Sequence, residues 1–211
     1  MTIENTSLQK LLIYILVENG FDGHWKEKDG KIIFYDVDSD VDSDVDSNVD
    51  SDVTIPLNAY ILKNGPLDYN LALRLMLNLG VQLVELYKYN YGVLYFSSND
   101  ITVINGNTFL LTNTSNIIPM NDDEVLVLNT PIKIKGFLAP EIEDMISEAG
   151  EEGLTLPLKV NHTVAYYSAA LLCVYSLGIH YSMNSIYNSK LYYLLKRCME
   201  PLARKRAFLY I

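Results

Sequence analysis

The sequence holds only two cysteines, one tryptophan and three histidines in 211 residues. Cys173 and Cys198 show no Cys-x-x-Cys spacing. A disulfide framework is therefore excluded and a reducing compartment is expected. His24, His162 and His180 form no pair at metal-ligand spacing, so no metal is expected. Basic residues are also scarce, 16 against 26 acidic, for a net charge of -10. A nucleic-acid binder usually presents a basic face, so that function class is set aside. Long hydrophobic runs are missing too. The longest nearly uncharged apolar stretch, Val164 to Ile179, contains Tyr166, Tyr167 and Ser168 and falls short of the about 18–20 residues of a bilayer span. It reads as a buried core helix, and no membrane partner is expected. No basic segment precedes Leu11–Val17, so no signal peptide is expected and a cytoplasmic location follows. None of the 11 glycines falls into a Gly-x-Gly-x-x-Gly pattern.

What the chain has in excess is acid in one place. Asp36, Asp38, Asp40, Asp42, Asp44, Asp46, Asp50 and Asp52 carry all but two of its ten net negative charges. The segment Asp36–Val53 is essentially Asp-Val-Asp-Ser repeated, with no large apolar residue but Val. Such a composition cannot offset the entropy of ordering, and a disordered loop is expected at 36–53. Asp-x-Asp-x-Asp resembles the start of a calcium loop, but no Gly follows at the sixth position and no Glu at the twelfth. Ser39, Ser43 and Ser47 each precede acidic residues, a context that suits an acid-directed kinase. The plainer reading is a solvated insertion at the tip of a surface hairpin.

Around this loop the patterns are globular. Ser7 precedes Leu8, Leu11, Leu12, Ile15 and Leu16, a helical spacing with Ser7 as N-cap. Gly20 ends that helix, Asp29-Gly30 makes a turn, and Lys31–Tyr35 reads as a strand. Val53–Leu57 leads into a short helix over Asn58–Lys63. Leu67–Asn90 is a long helix with Leu71, Leu75, Leu79, Gln82-Leu83 and Leu86 along one stripe. Tyr91–Phe96, Ile101–Ile104 and Thr108–Thr112 are short strands, with Asn105-Gly106 as a hairpin signal. A polar stretch around Asn121–Glu124 follows, and helices return from Pro140 onward. The predicted fold class is α+β, mainly α.

Four features in the second half occur in a familiar order. Ala139-Pro140-Glu141 is followed by Ala165-Tyr166-Tyr167-Ser168-Ala169-Ala170, then by Glu200-Pro201-Leu202-Ala203-Arg204, and upstream lie Gly92–Ile104 and Phe109–Leu111. In order and spacing these resemble the protein-kinase C-terminal lobe: the Ala-Pro-Glu end of the activation segment, the start of its central buried helix, the acidic-Pro-x-x-Arg turn, and the catalytic loop with its metal-binding strand. The resemblance spans Val53 to Ile211. It implies a kinase C-lobe-like domain over 53–211, with residues 1–52, a helix and a hairpin, as a much reduced upper lobe. It also implies a buried ion pair between Glu141 and Arg204, with Arg206 as the fallback partner.

Phosphoryl transfer needs a Gly-rich loop, a strand Lys, a catalytic-loop Asp, a metal-binding Asn and a second metal-binding Asp. At the corresponding positions the resemblance places Tyr95-Phe96-Ser97 for His-Arg-Asp, Ile101, give or take one residue, for the metal-ligand Asn, and Asn113-Thr114-Ser115, or Thr112 one place earlier, for Asp-Phe-Gly. Ser97 cannot accept a proton as a carboxylate does, and Ile101 cannot bind magnesium. No catalytic residue and no cofactor are expected. The chain resembles the kinase non-catalytic C-lobe domain, a module that captures peptide segments, and equally a separately degenerated kinase. The leading expectation is a pseudokinase-type module with an unidentified protein partner. The alternatives are a nucleotide-binding relic without phosphotransfer and a structural component of a viral particle or larger assembly. The Asn-, Ile- and Tyr-rich composition suits an AT-rich source such as a large DNA virus or an intracellular bacterium; for a virus the location would be host cytoplasm or virion.

Single residues read more plainly. His24 and Trp25 read as a staple between the first helix and the strand, and His162 and His180 as helix-end histidines. Met183, Met199, Cys173 and Cys198 read as core. Sixteen tyrosines are the excess, clustered at Tyr87, Tyr89, Tyr91 and Tyr95 and again at Tyr187, Tyr192 and Tyr193. Tyrosine suits half-buried edges and binding surfaces alike. Lys196, Arg197, Arg204, Lys205 and Arg206 form a basic cluster that would complement a helix C-terminus, steer an acidic partner or dock the acidic repeat of the same or a neighbouring chain.

Overall fold

A computed structural model describes residues 5–18, 24–28, 31–35, 54–121, 123–129, 136–149, 156–178 and 183–208. The expectations for Gly20, the Asp29-Gly30 turn, the whole acidic repeat Asp36–Val53 and His180 lie outside them. Helix α1, Asn5–Glu18, starts two residues before Ser7, which is exposed within the helix rather than capping it. It buries Leu8, Leu12, Ile13 and Ile15 and packs on α3.

Strands β1 (His24–Lys28) and β2 (Lys31–Tyr35) pair antiparallel, Lys28 opposite Lys31. Strand β3, Thr54–Pro56, instead joins the sheet of β5 (Ile101–Ile104) and β6 (Thr108–Leu111), in the order β3-β5-β6. The sequence expectation of a surface hairpin over Lys31–Val53 with the acidic loop at its tip is thus corrected, since β2 pairs with β1 and β3 with β5. A two-residue connection closes β1 onto β2, and closing so short a loop costs less entropy than closing an eighteen-residue one.

Helix α2 covers Leu57–Asn64 and the long α3 covers Tyr69–Lys88. Asp68 caps α3, its carboxylate accepting from the Leu71 N–H at 2.8 Å. The stripe Ala72, Leu75, Met76, Leu79, Leu83 and Leu86 faces the core. Asn105 and Gly106 turn β5 into β6 at φ of 49° and 69°, the left-handed region that Asn and Gly tolerate best. Strand β4 is only Tyr91–Val93 and pairs with β7, Ile117–Pro119.

Strands β8 (Val125–Leu128) and β9 (Leu158–Asn161) form a hairpin-like pair that flanks α4, Pro140–Ala149. Reading helices from Pro140 onward missed β9. Its four residues, with Leu158 and Val160 buried and Lys159 exposed, are too short to stand out by periodicity. Helix α5, Val164–Ser176, is the buried helix the apolar run predicts, and α6, Lys190–Cys198, packs against it.

Two apolar clusters result. The larger gathers α1, α3, α5, α6 and the β5–β6 hairpin; the smaller gathers Leu94, Tyr95, Leu126, Leu128, Ile142, Leu158, Val160 and Val164. Among the described residues no helix is long and apolar enough to cross a membrane.

Candidate functional site

The edge of β6 shows how polar side chains position the region expected to hold the site. Asn78 and Gln82 lie one helical turn apart on α3. Asn78 Oδ1 accepts the Phe109 N–H at 2.9 Å, and Gln82 Oε1 accepts the Leu111 N–H at 2.9 Å. Gln82 Nε2 also donates to the Phe109 carbonyl at 3.0 Å and the Asn78 carbonyl at 2.9 Å. Four helical residues rise about 6 Å and two strand residues about 6.8 Å, so i, i+4 amides can serve i, i+2 backbone groups. The open edge of the small sheet is thereby closed by side chains of α3. Gln82 is fully buried for this reason.

At the other end of the β5–β6 hairpin lies Asp100, 4% exposed. Its Oδ2 accepts the Ser97 N–H at 2.7 Å and Asn116 Nδ2 at 3.1 Å, and its Oδ1 accepts Asn113 Nδ2 at 2.7 Å. Its carbonyl accepts the Thr112 N–H at 2.9 Å and the Thr112 hydroxyl at 3.2 Å. Asn113 Oδ1 in turn accepts from the Ser115 N–H at 3.0 Å and the Ser115 hydroxyl at 2.7 Å. Gln9 of α1 donates from Nε2 to the Thr112 carbonyl at 3.1 Å, tying the first helix to this cluster. Neutral N–H donors satisfy the carboxylate on both oxygens.

The residues singled out in the sequence divide here. Asn113 and Ser97 both meet at Asp100, Ser97 through its backbone. Ile101 is fully buried in the larger apolar cluster and points away from them. Sequence reasoning missed Asp100, one residue from the Ile101 position. The signal present was an acidic residue directly before an apolar strand whose partner strand ends at Asn113.

Glu141 does form an ion pair, but with Arg206, whose side chain is fully buried while that of Glu141 is half-buried. Nη1 donates to Oε1 at 2.6 Å and Nη2 to Oε2 at 2.7 Å, a bidentate geometry. Arg206 also donates to the Pro201 carbonyl at 3.1 Å and the Glu200 carbonyl at 2.8 Å, and its guanidinium lies 4.9 Å from the Tyr167 ring centroid. Arg204, the expected partner, is exposed. The 3₁₀ turn Ala203–Lys205 directs Arg204 outward and returns the chain inward at Arg206.

Ser168 on α5 joins two segments near the Asp100 cluster. Its hydroxyl accepts the Phe96 N–H at 2.7 Å and donates to the Phe137 carbonyl, while the Phe137 N–H donates to the Phe96 carbonyl at 2.9 Å. Of the first tyrosine cluster, Tyr95 is buried, whereas Tyr87 and Tyr89 are exposed. Tyr87 donates its hydroxyl to Glu124, which raises its phenol above the usual range, and its ring lies 5.0 Å from that of His162. Cys173 and Cys198 are buried, and burial pushes the Cys198 thiol up to about 12 and the Cys173 thiol higher still. Neither is a thiolate near neutral pH. Among the described residues no three His, Cys, Asp or Glu side chains are grouped to hold a metal. A cleft of about 320 Å³ opens beside α2 and the β5–β6 turn, lined by Ile55, Tyr60, Lys63, Asn64, Val103 and Gly106.

No protein-family model and no curated protein matches the chain. Solved structures do. The chain is similar to a rhoptry kinase from Toxoplasma gondii, with a TM-score of 0.53 and 16% identity over 72% of this chain and 46% of that one. It is also similar to a Toxoplasma gondii specific rhoptry antigen kinase domain, with a TM-score of 0.50 and 16% identity over 71% and 44% of the respective chains. The chain thus spans less than half the length of these structures. The fold is protein-kinase-like, and identity this low speaks for the fold alone.

Proposed function

We propose that this chain is a catalytically silent, pseudokinase-type module that works by binding another protein. In this reading residues 53–211 correspond to the lower lobe of the kinase-like fold. Residues 1–52 supply a reduced upper part, α1 and the β1–β2 hairpin.

The observation that carries the reading is the self-contained Asp100 cluster. A kinase pattern sets an Asn and, further on, an Asp to hold metal over the reacting phosphate. Here the acid and amide occur as Asp100 and Asn113 and are bonded to each other at 2.7 Å, with Ser97 N–H and Asn116 taking the remaining carboxylate oxygen. A magnesium ion would have to displace three N–H donors from a buried carboxylate. Ser97 contributes a backbone amide here and offers no carboxylate to take a proton.

The test is a thermal-shift titration with ATP, with and without magnesium, beside a phosphotransfer assay on the pure protein. A ligand at 100 times its dissociation constant stabilises a fold by about 2.7 kcal/mol, roughly 5–10 °C for a chain of this size. The expected result is no magnesium-dependent shift and no transfer. A shift that needs magnesium and disappears in Asp100→Asn would overturn the reading.

A further inference from the structure

The chain carries two oppositely charged regions far apart in sequence. Residues 183–208 hold six of its 16 basic residues and one of its 26 acidic ones. Arg206 is paired with Glu141, and Lys196, Arg197, Arg204 and Lys205 lie around the end of α6 and the turn after it. Lys196, Arg204 and Lys205 are exposed. The turn is held against the helix end, since the Cys198 thiol donates to the Ala207 carbonyl at 3.6 Å and Arg206 Nε to the Glu200 carbonyl at 2.8 Å. Helix and turn therefore present one basic surface.

Beside it stands an ordered aromatic array. Tyr187 and Tyr193 are 68% and 44% exposed. Both rings contact Tyr192 edge-on at 5.2 Å, and the Tyr193 hydroxyl donates to Asn188 Oδ1 at 2.7 Å. Large side chains left in water yet fixed in place lose little rotamer freedom on contact, and Tyr and Arg dominate binding hot spots.

The ligand chemistry such a surface fits is written in the same sequence. Every Asp of the 36–52 segment sits at an even position, with Val or Ser between. In extended form such a segment presents carboxylates on one side, about 6.8 Å apart, and valine methyls on the other. We propose that the basic, tyrosine-lined surface of α6 and the Ala203–Lys205 turn docks the Asp36–Asp52 repeat of a second copy of this chain. The repeat is followed by β3, which packs with β5 and α2, whereas α6 packs on α5 and the Met183–Ile186 turn, so the anchor of the repeat and the basic surface lie on different elements, and docking within one chain is the outcome that the concentration series below separates from a second copy. The contact between copies is heterologous, head to tail, and can extend beyond a dimer. It uses a different face from the Asp100 cluster and stands whether or not that cluster binds nucleotide.

Sedimentation velocity of the full chain over a concentration series, at 50 mM and at 500 mM salt, tests it. Association is expected at low salt and should weaken roughly tenfold or more at high salt, because exposed pairs are screened. A fourfold variant (Lys196→Glu, Arg197→Glu, Arg204→Glu, Lys205→Glu) and a variant with all eight repeat aspartates changed to Asn should each be monomeric. Mixed, they should form a one-to-one heterodimer, because each keeps the surface the other lost. A fluorescent peptide of residues 36–52 should bind the eightfold Asn variant and not the fourfold Glu variant. A wild-type chain that stays monomeric, association that survives in the eightfold variant, or a salt effect without concentration dependence would each overturn the proposal.

Discussion

Two charged side chains are buried among the described residues, Asp100 beside the larger apolar cluster and Arg206 beside the smaller, and they are satisfied in opposite ways. Asp100 is held by neutral N–H groups that lie 3, 13 and 16 residues away. Arg206 is held by a full countercharge 65 residues away, with two backbone carbonyls completing its donors. The first arrangement folds a loop onto itself; the second ties the end of the chain to α4. A carboxylate met only by dipoles is a local organiser, whereas a guanidinium met by a carboxylate depends on distant segments arriving together.

The largest effect should come from breaking the long-range tie. Arg206→Ala leaves Glu141 without its partner and is expected to lower stability by about 3–5 kcal/mol in urea denaturation. Arg204→Ala, at the exposed neighbour, should stay within about 0.5 kcal/mol. Equal losses in the two variants would restore the pairing the sequence implied.

Breaking the local organiser should cost less. Asp100→Ala strands the Ser97 amide and the Asn113 and Asn116 side chains, and about 2–3 kcal/mol is expected, since the loop can relax toward water. Its effect should be confined, so hydrogen exchange should quicken at Ser97 and Thr112–Asn116 while α6 keeps its protection. Spreading of that effect to α6 would erase the distinction between the two regions.

The amide clasp between α3 and β6 should cost slightly less again. Gln82→Ala removes an acceptor from Leu111 N–H and a donor from Phe109 O, and about 2 kcal/mol is expected by the same denaturation. A value near zero would mean that water replaces the clasp.

The mildest probe is alkaline pH. The buried thiols and the Tyr166 and Tyr167 phenols have pKa values raised by burial. A group whose folded pKa lies above its unfolded value stabilises fully below the unfolded pKa and loses that stability as pH rises through the folded one. For Cys198 the window runs from the unfolded value of 9.0 to about 12. On the order of 1 kcal/mol should be gone by pH 10 relative to pH 8, and Cys198→Ser should blunt that slope. Resistance of both thiols to alkylation at neutral pH is the companion check.

Legibility from sequence varied with the range of the interaction. The long helix, the buried helix of 164–176 and the β5–β6 hairpin were readable because periodicity, an Asn-Gly turn and apolar runs act within a few residues. The kinase-like fold was legible only through the resemblance of short motifs such as Ala139-Pro140-Glu141 to a known family. The partner of β2 was misjudged, although the turn that closes it was in view, because strand pairing across a long insertion has no local signature. Arg204 was favoured over Arg206 because the kinase resemblance puts the partner arginine in the acidic-Pro-x-x-Arg turn, and a single 3₁₀ turn reverses which of them faces inward. Asp100 was overlooked for want of a neighbour in sequence; its significance comes from Asn113 and Asn116 across the hairpin.

By itself the sequence determined where helices and strands begin to form, how charge divides between an acidic repeat and a basic end, and which residues are too apolar to face water. These follow from backbone propensity and transfer of side chains out of water, which are properties of short stretches. Only the tertiary structure decided which carboxylate meets which donor and which arginine turns inward. Those outcomes depend on directional bonds a few ångströms long between segments brought together by packing, and linear spacing does not specify that geometry.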